Sequence, residues 1–376
     1  MDFSFTDEQR MLLDTTRRFL AKDYTFERRR EIRESAAGYS QAIWKQFAEL
    51  GLLALNVPED DGGIGAGAIG TMLVSNAIGE GLVLEPFLSS AVVATRAIAQ
   101  LASPEQRAAW LSKLAAGELI AVLAHDEVSS RFDFLNIETR AVARGDGWSL
   151  TGRKAVIYHA PVAGLLLISA RIETAKGSEL GLFAVPAASS GLTLIPCATV
   201  DSQRAADIVL EQVQIPRAVR VGSDIAAGLS AILDYGLAAL CGEAVGALDK
   251  LLATTIDYSR TRVQFGVPIG RFQALQHRMA DMLLHVEQAR SMSYLAASRC
   301  VAENPAQRRA ALSAAKVVVG QAARFVGQQA IQLHGGMGMT DELSVSHYFK
   351  RLLGIEIRFG STDAHLALYT NQLQTA

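Results

Sequence analysis

The sequence predicts a multi-domain protein of the mixed α and β class: an N-terminal helical domain, a middle β-barrel-like domain and a C-terminal four-helix bundle. Its 376 residues exceed what one hydrophobic core usually serves. The order of the domains follows from two changes in the residue pattern along the chain. Helical periodicity gives way to short apolar runs, and these give way to an alanine-rich helical pattern. Six of the nine prolines have appeared by Pro196, and no proline follows Pro305. The predicted domains are residues 1–119, 120–225 and 226–376.

Capping signals predict helices in the first domain. Thr6, followed three residues later by Gln9, is a capping box that stands ahead of an apolar run. Ser103 repeats the signal, with Pro104 at the first helical position and Gly117 placed to end that helix.

Turn residues between apolar runs predict strands in the middle domain. Gly145-Asp146-Gly147 is typical of a hairpin loop. Three short strands are predicted over Ala155–Tyr158, Leu165–Ile168 and Leu182–Val185. After residue 226, four helices of roughly 20 to 30 residues would form the bundle.

Composition excludes several classes of function. Hydrophobic residues make up 50% of the chain, which indicates buried subunit interfaces. The most apolar window, residues 225–248, contains Asp234 and Glu243, so we expect no membrane span. The net charge of −2 argues against a nucleic-acid partner.

The three cysteines, Cys197, Cys241 and Cys300, are far apart and lack metal-ligand spacing, so we expect them to be reduced, buried and structural, with no metal site. The first nine residues have neither a basic nor an apolar region typical of a signal peptide. We therefore expect a cytoplasmic protein.

One motif is a coincidence of glycines. Residues 65–70 match G-x-G-x-x-G after the apolar run 52–57. A dinucleotide fold also needs repeated βαβ units and an acidic residue about 20 positions later. Both are lacking, so a flexible turn is the better interpretation.

Three ordered motifs resemble those of the acyl-CoA dehydrogenase family across essentially the whole chain. Pro58 to Gly65 resembles its P-E-x-x-G-G-x-G loop. Arg262 to Met282 resembles its R-x-x-F-G-x-x-I…Q…A-x-M helix start, and Gln332 to Gly338 resembles its Q-x-x-G-G-x-G turn. Within the family, the chain most resembles the small subunit of pimeloyl-CoA dehydrogenase and subunits of heteromeric steroid-side-chain acyl-CoA dehydrogenases.

The resemblance implies FAD as cofactor, an acyl-CoA thioester as substrate and α,β-dehydrogenation as the reaction. It also implies a tetramer, an electron-transfer flavoprotein as partner, and bundle residues that reach the flavin across a subunit interface. The implied cofactor contacts are Arg262, Phe265, Gln273, Gln332, Gly335 and Gly336 in the bundle and Asp126, Ile157 and Tyr158 in the β domain.

Each of these bundle residues has both a cofactor-binding interpretation and a simpler structural one. A fixed cation at Arg262 neutralises a pyrophosphate, and glycines at 335 and 336 admit close approach of a ligand. Alternatively Arg262 is a solvated loop residue, the glycines cap a helix, Phe265 is a core aromatic and Gln273 is a surface amide.

The family's catalytic base, a glutamate, is missing from both positions at which the family places it. The commoner position, 27 residues after Gln332, is Phe359. The alternative position, in a D-x-E-R pattern, is Gly236, followed by Leu237 instead of arginine. Neither side chain can take a proton.

Three carboxylates are candidate substitutes for the base. Glu356 and Asp363 lie three residues before and four after Phe359, so a helical stretch would place either near it. Glu243 is the third. An ordinary surface or interface role is the simpler explanation for each, and the same holds for the two histidines expected near the flavin, His125 and His159.

The flavin face of the β domain also departs from the family. Asp126 to Asp133 stands where the family has T-E-P-x-A-G-S-D, and Val156-Ile157-Tyr158 stands where it has W-I-T. A carboxylate at Asp126, if directed at the flavin pyrimidine, would oppose the negative charge of reduced flavin.

Three hypotheses follow. The chain is a base-lacking subunit that completes flavin sites on a larger homologous subunit, a self-sufficient dehydrogenase with a non-standard base, or a flavin-binding relative with another activity.

Overall fold

The computed structural model of the chain describes residues 4–174, 177–222 and 225–375. Residues 1–3, which begin the segment interpreted for a targeting signal, lie outside the described residues. The chain packs as two compact units. The bundle unit comprises Met1–Glu31, Ala68–Val83 and Leu237–Ala376, and the sheet unit comprises Ile32–Gly67 and Leu84–Gly236.

The first third of the chain is helical, as predicted. Its helices are α1 (Asp7–Asp23), α2 (Phe26–Glu34), α3 (Gln41–Glu49), α4 (Gly67–Glu80), α5 (Thr95–Leu101) and α6 (Pro104–Ala115). Both predicted capping boxes form, one at Thr6 and one at Ser103. Residues 52–54 form a 3-10 turn, so no strand leads into the G-x-G-x-x-G match and its rejection is confirmed.

The middle of the chain forms one eight-stranded sheet. Its strands are β1 (Ala121–Ala124), β2 (Arg140–Arg144), β3 (Gly147–Tyr158), β4 (Leu165–Thr174), β5 (Gly177–Pro186), β6 (Leu192–Ala198), β7 (Arg204–Pro216) and β8 (Arg220–Val221). The order is β6-β7-β3-β2-β4-β5-β8, with β1 paired in parallel to β4. The three predicted strands lie within β3, β4 and β5.

The hairpin predicted at Gly145-Asp146-Gly147 connects β2 to β3. Arg144 pairs with Gly147, which leaves a two-residue loop in which Gly145 has φ +57°. This left-handed conformation explains the glycine. The central strands β4 and β5 are apolar on both faces because Leu166, Leu167 and Phe183 are all 0% exposed.

The C-terminal region is helical as predicted, but its helices are divided differently. They are α7 (Ala226–Thr261), α8 (Gln273–Arg299), α9 (Pro305–His334), α10 (Ser344–Ile357) and α11 (Thr362–Thr375). A short hairpin of β9 (Val263–Gln264) and β10 (Val267–Pro268) separates α7 from α8. Within residues 225–375 there are therefore three helices of 36, 27 and 30 residues and two of 14. The expected fourth long helix is broken because Phe359 and Gly360 adopt positive φ values of +59° and +111°.

Glycines set the close approach of α4 and α7. A Cβ at Gly79 would lie 1.9 Å from the carbonyl oxygen of Glu243, and one at Gly246 would lie 1.8 Å from that of Asn76. Both distances are shorter than real Cβ contacts, so any side chain at either position would separate the helices.

Two sequence expectations need correction in detail. Helix α7 is long and apolar enough to cross a membrane, since Asp234 and Glu243 still leave an apolar window; 89% of that window is buried in the structure, as in a core helix. Cys241 and Cys300 are buried and not in a disulfide, but Cys197 is only half-buried because it lies on β6, whose side chains are all exposed or half-buried.

Candidate functional site

Arg262 is the first residue beyond α7 and is solvent-exposed. Its backbone N–H still donates to the Tyr258 carbonyl (2.8 Å), and its own carbonyl accepts from Ile269 (2.8 Å), so the main chain is fixed on both sides. The guanidinium makes no hydrogen bond or ion pair to any residue that the structure describes. A cation on a rigid backbone and without a protein partner is available for an anion from outside the chain.

The β9–β10 hairpin presents Phe265 to solvent. The two loop residues, Phe265 and Gly266, have φ +54° and +82°, the pattern of a type I′ turn. Glycine adopts this conformation freely, whereas for phenylalanine it costs about 1–3 kcal/mol. Phe265 is nevertheless 92% exposed, so the alternative interpretation of Phe265 as a core aromatic is wrong. Its ring touches only Phe272, edge-on at 6.1 Å, among described aromatic residues.

The end of α9 carries two exposed glycines with different explanations. Gly335 has φ +59° and ψ −141°, a backbone conformation that favours glycine. Gly336 has no positive φ, and a Cβ there would meet no atom within 4 Å. Within the described chain, Gly336 is therefore required neither by its backbone conformation nor by packing. Open space at Gly336 therefore suits close approach by another molecule.

These residues lie along one edge of the bundle unit, which we call the bundle edge: Arg262, Phe265, Gln273, Gln332, Gly335 and Gly336. Gln273 begins α8 and Gln332 stands in the last turn of α9, both exposed. The ring of Tyr258, one turn before Arg262, stacks on the ring of His334, next to Gly335, at 4.3 Å.

Phe359 lies in the short connection between α10 and α11 and is half-buried. Its left-handed backbone is held from two sides. His365 donates from Nε2 to the Phe359 carbonyl (2.9 Å) while its Nδ1 accepts from the Ser313 hydroxyl (3.1 Å). The guanidinium of Arg358 stands 5.5 Å from the centre of the Phe359 ring.

Lys316 fixes the segment immediately before Phe359. Its buried ammonium on α9 donates to the carbonyls of Ile355 (2.8 Å), Glu356 (3.0 Å) and Arg358 (2.8 Å). All three protons of the ammonium are used, and they satisfy the carbonyls left open at the C-terminal end of α10. Burial lowers the pKa of Lys316 to about 8. The segment at the first base position is therefore rigid, although its side chain is a phenyl ring.

The helical stretch expected around Phe359 does not form. Because α10 ends at Ile357 and α11 begins at Thr362, Glu356 and Asp363 belong to different helices. Asp363 is exposed in the first turn of α11. The proposed placement of either carboxylate on one face with Phe359 is therefore wrong.

The two buried candidate bases are already paired. The Glu356 carboxylate accepts from the backbone of Thr362 (3.1 Å) and from Arg324 (3.2 Å). Burial raises the pKa of Glu356, but the bonds from Thr362 and the charge of Arg324 outweigh it and hold the pKa below its usual value. Glu243 accepts from Arg351 (2.7 Å). A general base needs a free carboxylate, and both of these carboxylates are already held by hydrogen bonds from other residues.

The second base position offers no proton acceptor. Gly236 is buried within α7, and Leu237 beside it is 1% exposed. In the sheet unit the preceding Tyr235 packs under the guanidinium of Arg96 (4.2 Å). A glycine therefore stands where the pattern would place the carboxylate.

The sheet face expected to meet a flavin is shaped by a β-bulge in β3. Val156 has φ +52°, unusual for a β-branched residue, and its N–H donates to the Asp207 carboxylate (2.8 Å). The neighbouring Ala155 N–H donates to the carbonyl of Asp126 (2.8 Å), which brings this exposed acidic residue beside the bulge. Ile157 is 3% exposed and Tyr158 is half-buried.

A buried ion pair stands behind this face. Lys154 donates to Glu127 (2.7 Å), to the Ser169 hydroxyl (3.0 Å) and to the His125 carbonyl (3.3 Å). The Ser169 hydroxyl also lies within hydrogen-bond distance of Nδ1 of His125 (2.9 Å). Burial lowers the pKa of His125 to about 3 and that of Lys154 to about 8. His125 is thus a hydrogen-bonded neutral residue, as the simpler explanation expected.

His159 also has a structural role. It is 2% exposed with φ +62°, its Nε2 donates to the Leu84 carbonyl (3.0 Å), and its Nδ1 accepts from the Ser89 hydroxyl (2.9 Å). Both ring nitrogens are occupied.

Three family models together match most of the chain. The N-terminal domain of acyl-CoA dehydrogenase matches residues 6–118, the middle domain matches 123–213 and the C-terminal domain matches 227–373. The chain belongs to the acyl-CoA dehydrogenase family. The predicted fold class is therefore confirmed.

Individual acyl-CoA dehydrogenase relatives align over nearly the full length. Acyl-CoA dehydrogenase FadE27 of Mycobacterium tuberculosis is 28% identical, with 97% of each chain covered. The L-prolyl-[peptidyl-carrier protein] dehydrogenase of a Serratia species is 30% identical, covering 99% of this chain and 98% of the relative. The structure of the ChsE4-ChsE5 complex from Mycobacterium tuberculosis superimposes with a TM-score of 0.89 at 26% identity, covering 100% of both chains.

The acyl-CoA dehydrogenase family consists of oxidoreductases that use FAD. Two parts of this family member fit that cofactor unequally. The bundle edge fits, because Arg262 has a free cation and Gly336 leaves space that nothing in the described chain fills. The sheet face fits poorly, because Asp126 exposes a carboxylate, and Arg131 and Phe132 hold positive φ values of +44° and +72° where the family motif has a glycine and a serine.

Several residues of this family member were not found by sequence reasoning. Tyr258, Lys316 and Lys154 gain their roles from contacts with distant parts of the chain. Only Lys316 carried a signal, as a single cation within the apolar run Ala314 to Val319 of a predicted helix.

Proposed function

We propose that this chain is the base-lacking subunit of a heteromeric acyl-CoA dehydrogenase, in which it completes FAD sites on a larger homologous subunit that carries the catalytic glutamate. The observation that carries the proposal is Phe359: the segment at the first base position is rigid and well formed, yet holds no proton acceptor. Gly236 leaves the second position equally empty.

The bundle edge supports the second half of the proposal. Arg262 has no partner in the described chain, Phe265 is held exposed in a strained turn, and Gly336 is open. Residues of one subunit that reach a cofactor of another must be exposed in the single chain, as these are. Arg262 would neutralise the pyrophosphate of FAD, and Gly335 and Gly336 would allow its close approach.

In the assembled enzyme the partner's carboxylate would remove the α-proton of an acyl-CoA thioester. Bound FAD supplies a hydride acceptor for the β-carbon. This chain's own residues bind and orient; none of those at the two base positions moves a proton.

The ChsE4-ChsE5 complex supports a heteromeric assembly, because it contains two different subunits by its name and shares this fold at 26% identity. A tetramer and an electron-transfer flavoprotein that reoxidises the flavin complete the proposal by family resemblance. The acyl group is proposed only as a bulky or dicarboxylic one, such as a steroid side chain or pimeloyl, by the same resemblance.

The alternative of a self-sufficient dehydrogenase has weaker support. Glu356 and Glu243 are paired with arginines, and Asp363 is exposed to water, so each lacks the apolar setting that makes a carboxylate a base. A flavin-binding relative with another activity is the third possibility, and no residue described above favours it.

The test compares the chain purified alone with the chain co-purified with a base-bearing homologue from the same genome. Each preparation is mixed anaerobically with a panel of acyl-CoA thioesters, and bleaching of the oxidised flavin band is followed. We expect no bleaching by the lone chain, because a missing general base lowers the rate by about 10²–10⁴-fold.

Rapid bleaching by the lone chain would overturn the proposal, above all if Glu356→Gln, Glu243→Gln or Asp363→Asn abolished it. Bleaching by the complex that persisted after Arg262→Ala without loss of FAD would show that the bundle edge is not part of the cofactor site.

A further inference from the structure

One aromatic pair connects the two halves of the bundle edge. The rings of Tyr258 and His334 stack with centroids 4.3 Å apart and planes 25° apart. The Tyr258 hydroxyl also reaches the His334 carbonyl oxygen at 3.5 Å. Neither residue is among those that sequence or family motif assigns to the cofactor.

Each ring is tied directly to a residue of the bundle edge. The Tyr258 carbonyl accepts a hydrogen bond from the backbone N–H of Arg262. Tyr258 therefore belongs to the last helical turn of α7, which fixes the backbone of Arg262. His334 directly precedes Gly335 and donates from Nδ1 to the Ala330 carbonyl (2.8 Å), which fixes the ring to its own helix. The pair therefore sets the position of the end of α7 relative to the end of α9.

The ring pair adds no charge of its own to the bundle edge. With Nδ1 donating to a carbonyl, the neutral ring of His334 carries its proton on Nδ1. Burial lowers the pKa of His334, so the ring stays neutral in the neutral pH range. The pair thus contributes geometry and leaves the cationic charge to Arg262.

We propose that Tyr258 and His334 are positioning residues that hold Arg262 and the Gly335–Gly336 turn in register for the pyrophosphate of FAD. This inference rests on the proposed function of the bundle edge and names the residues that preorganise it.

The test measures the affinity of FAD for deflavinated enzyme in its assembled form by quenching of flavin fluorescence. His334→Ala and Tyr258→Ala remove one ring each and are expected to weaken FAD binding about tenfold. His334→Phe and Tyr258→Phe keep the stacked rings and are expected to stay within about threefold of the unaltered enzyme. Should an alanine variant fail to fold, Tyr258→Leu removes the ring while keeping apolar volume.

The bundle contains a matched control. His285 on α8 and Phe325 on α9 form a second ring pair, also 4.3 Å apart, away from the bundle edge. His285→Ala removes a comparable stack and is expected to leave FAD affinity unchanged. Loss of affinity in that variant would mean that any weakened bundle loosens FAD, and would overturn the positioning role.

A double-mutant cycle with Arg262→Ala separates this inference from the proposed function. If the ring pair acts by placing Arg262, His334→Ala has less effect in the Arg262→Ala background than alone. Full additivity overturns the positioning role. If Arg262→Ala itself leaves FAD affinity unchanged, the proposed function of the bundle edge fails. If Arg262→Ala weakens FAD binding while both ring-removing variants bind FAD normally, only the positioning role fails.

Discussion

Replacing Lys316 by methionine tests how the segment at Phe359 is held. Methionine keeps the length and apolar character of the stem but removes the ammonium. Three carbonyls at the end of α10 would lose their donor, and each buried carbonyl without a partner costs about 1–3 kcal/mol.

One effect acts in the opposite direction. Burial lowers the pKa of Lys316 to about 8, and a decrease of this size from the ordinary lysine value corresponds to about 3 kcal/mol of desolvation cost. Methionine avoids that cost. The loss of three hydrogen bonds is the larger effect, so we expect Lys316→Met to lower the free energy of unfolding by about 3 kcal/mol.

The assay combines thermal unfolding with hydrogen exchange. For a chain of 376 residues that unfolds in one transition, a loss of this size lowers the melting temperature by about 4 °C. Faster exchange should be confined to the amides around Arg358, Phe359 and Gly360. Lys250→Met, at an exposed position on α7, is the matched control and should change stability by less than about 0.5 kcal/mol. An unchanged or raised melting temperature for Lys316→Met would refute the reasoning, since it would show that desolvation exceeds hydrogen bonding at this site.

Three other predictions follow from the same structure. Phe359→Gly should be more stable than Phe359→Ala by about 1 kcal/mol, because only glycine adopts the left-handed backbone without strain; equal melting temperatures would contradict the φ of +59°. Because burial lowers the pKa of His365 to about 4 and that of His125 to about 3, their stabilising effect is complete above about pH 6.5 and is lost as the pH falls through those values. His365→Gln should therefore flatten the dependence of the melting temperature on pH between about 6.5 and 4, and an unaltered slope would show that His365 does not titrate there. Arg262→Ala should weaken FAD binding in the assembled enzyme about ten- to a hundredfold, whereas Arg260→Ala, which removes an exposed cation paired with its own helix, should not; equal losses would reduce the effect to general charge.

The local parts of the fold could be predicted from the sequence because their causes are local. The capping boxes at Thr6 and Ser103 and the hairpin loop at Gly145 depend on residues within four positions of one another. The strands in β3, β4 and β5 were predicted for the same reason, since apolar runs between turn residues define them.

The division of the last helices was not predictable from periodicity. The pattern continues through Phe359, and the break is imposed by Lys316 and His365, which lie on α9 and α11. The exposure of Phe265 depends on the paired register of β9 and β10, which places it at the tip of a turn and rules out the alternative of a core aromatic.

The candidate site divides in the same way. The motif positions Arg262, Gly335 and Gly336 were identified from sequence by family resemblance, and their assignment to FAD stays a prediction. Glu356 is paired with Arg324, and Glu243 is paired with Arg351. These arginines are distant in sequence from their partners, so neither pair could be predicted from sequence spacing.

The strained turn at Phe265 has a consequence for how this chain meets another. Its unfavourable backbone conformation is established by the β9–β10 hairpin when the chain folds, before any encounter. A molecule that binds the Phe265 ring therefore has to immobilise little further main chain. The loss of backbone conformational entropy on association is smaller as a result. The folding of the single chain and the strength of its association are thereby coupled: Gly266→Ala, which opposes a φ of +82°, would weaken association by unlocking the hairpin without removing a single contacting side chain.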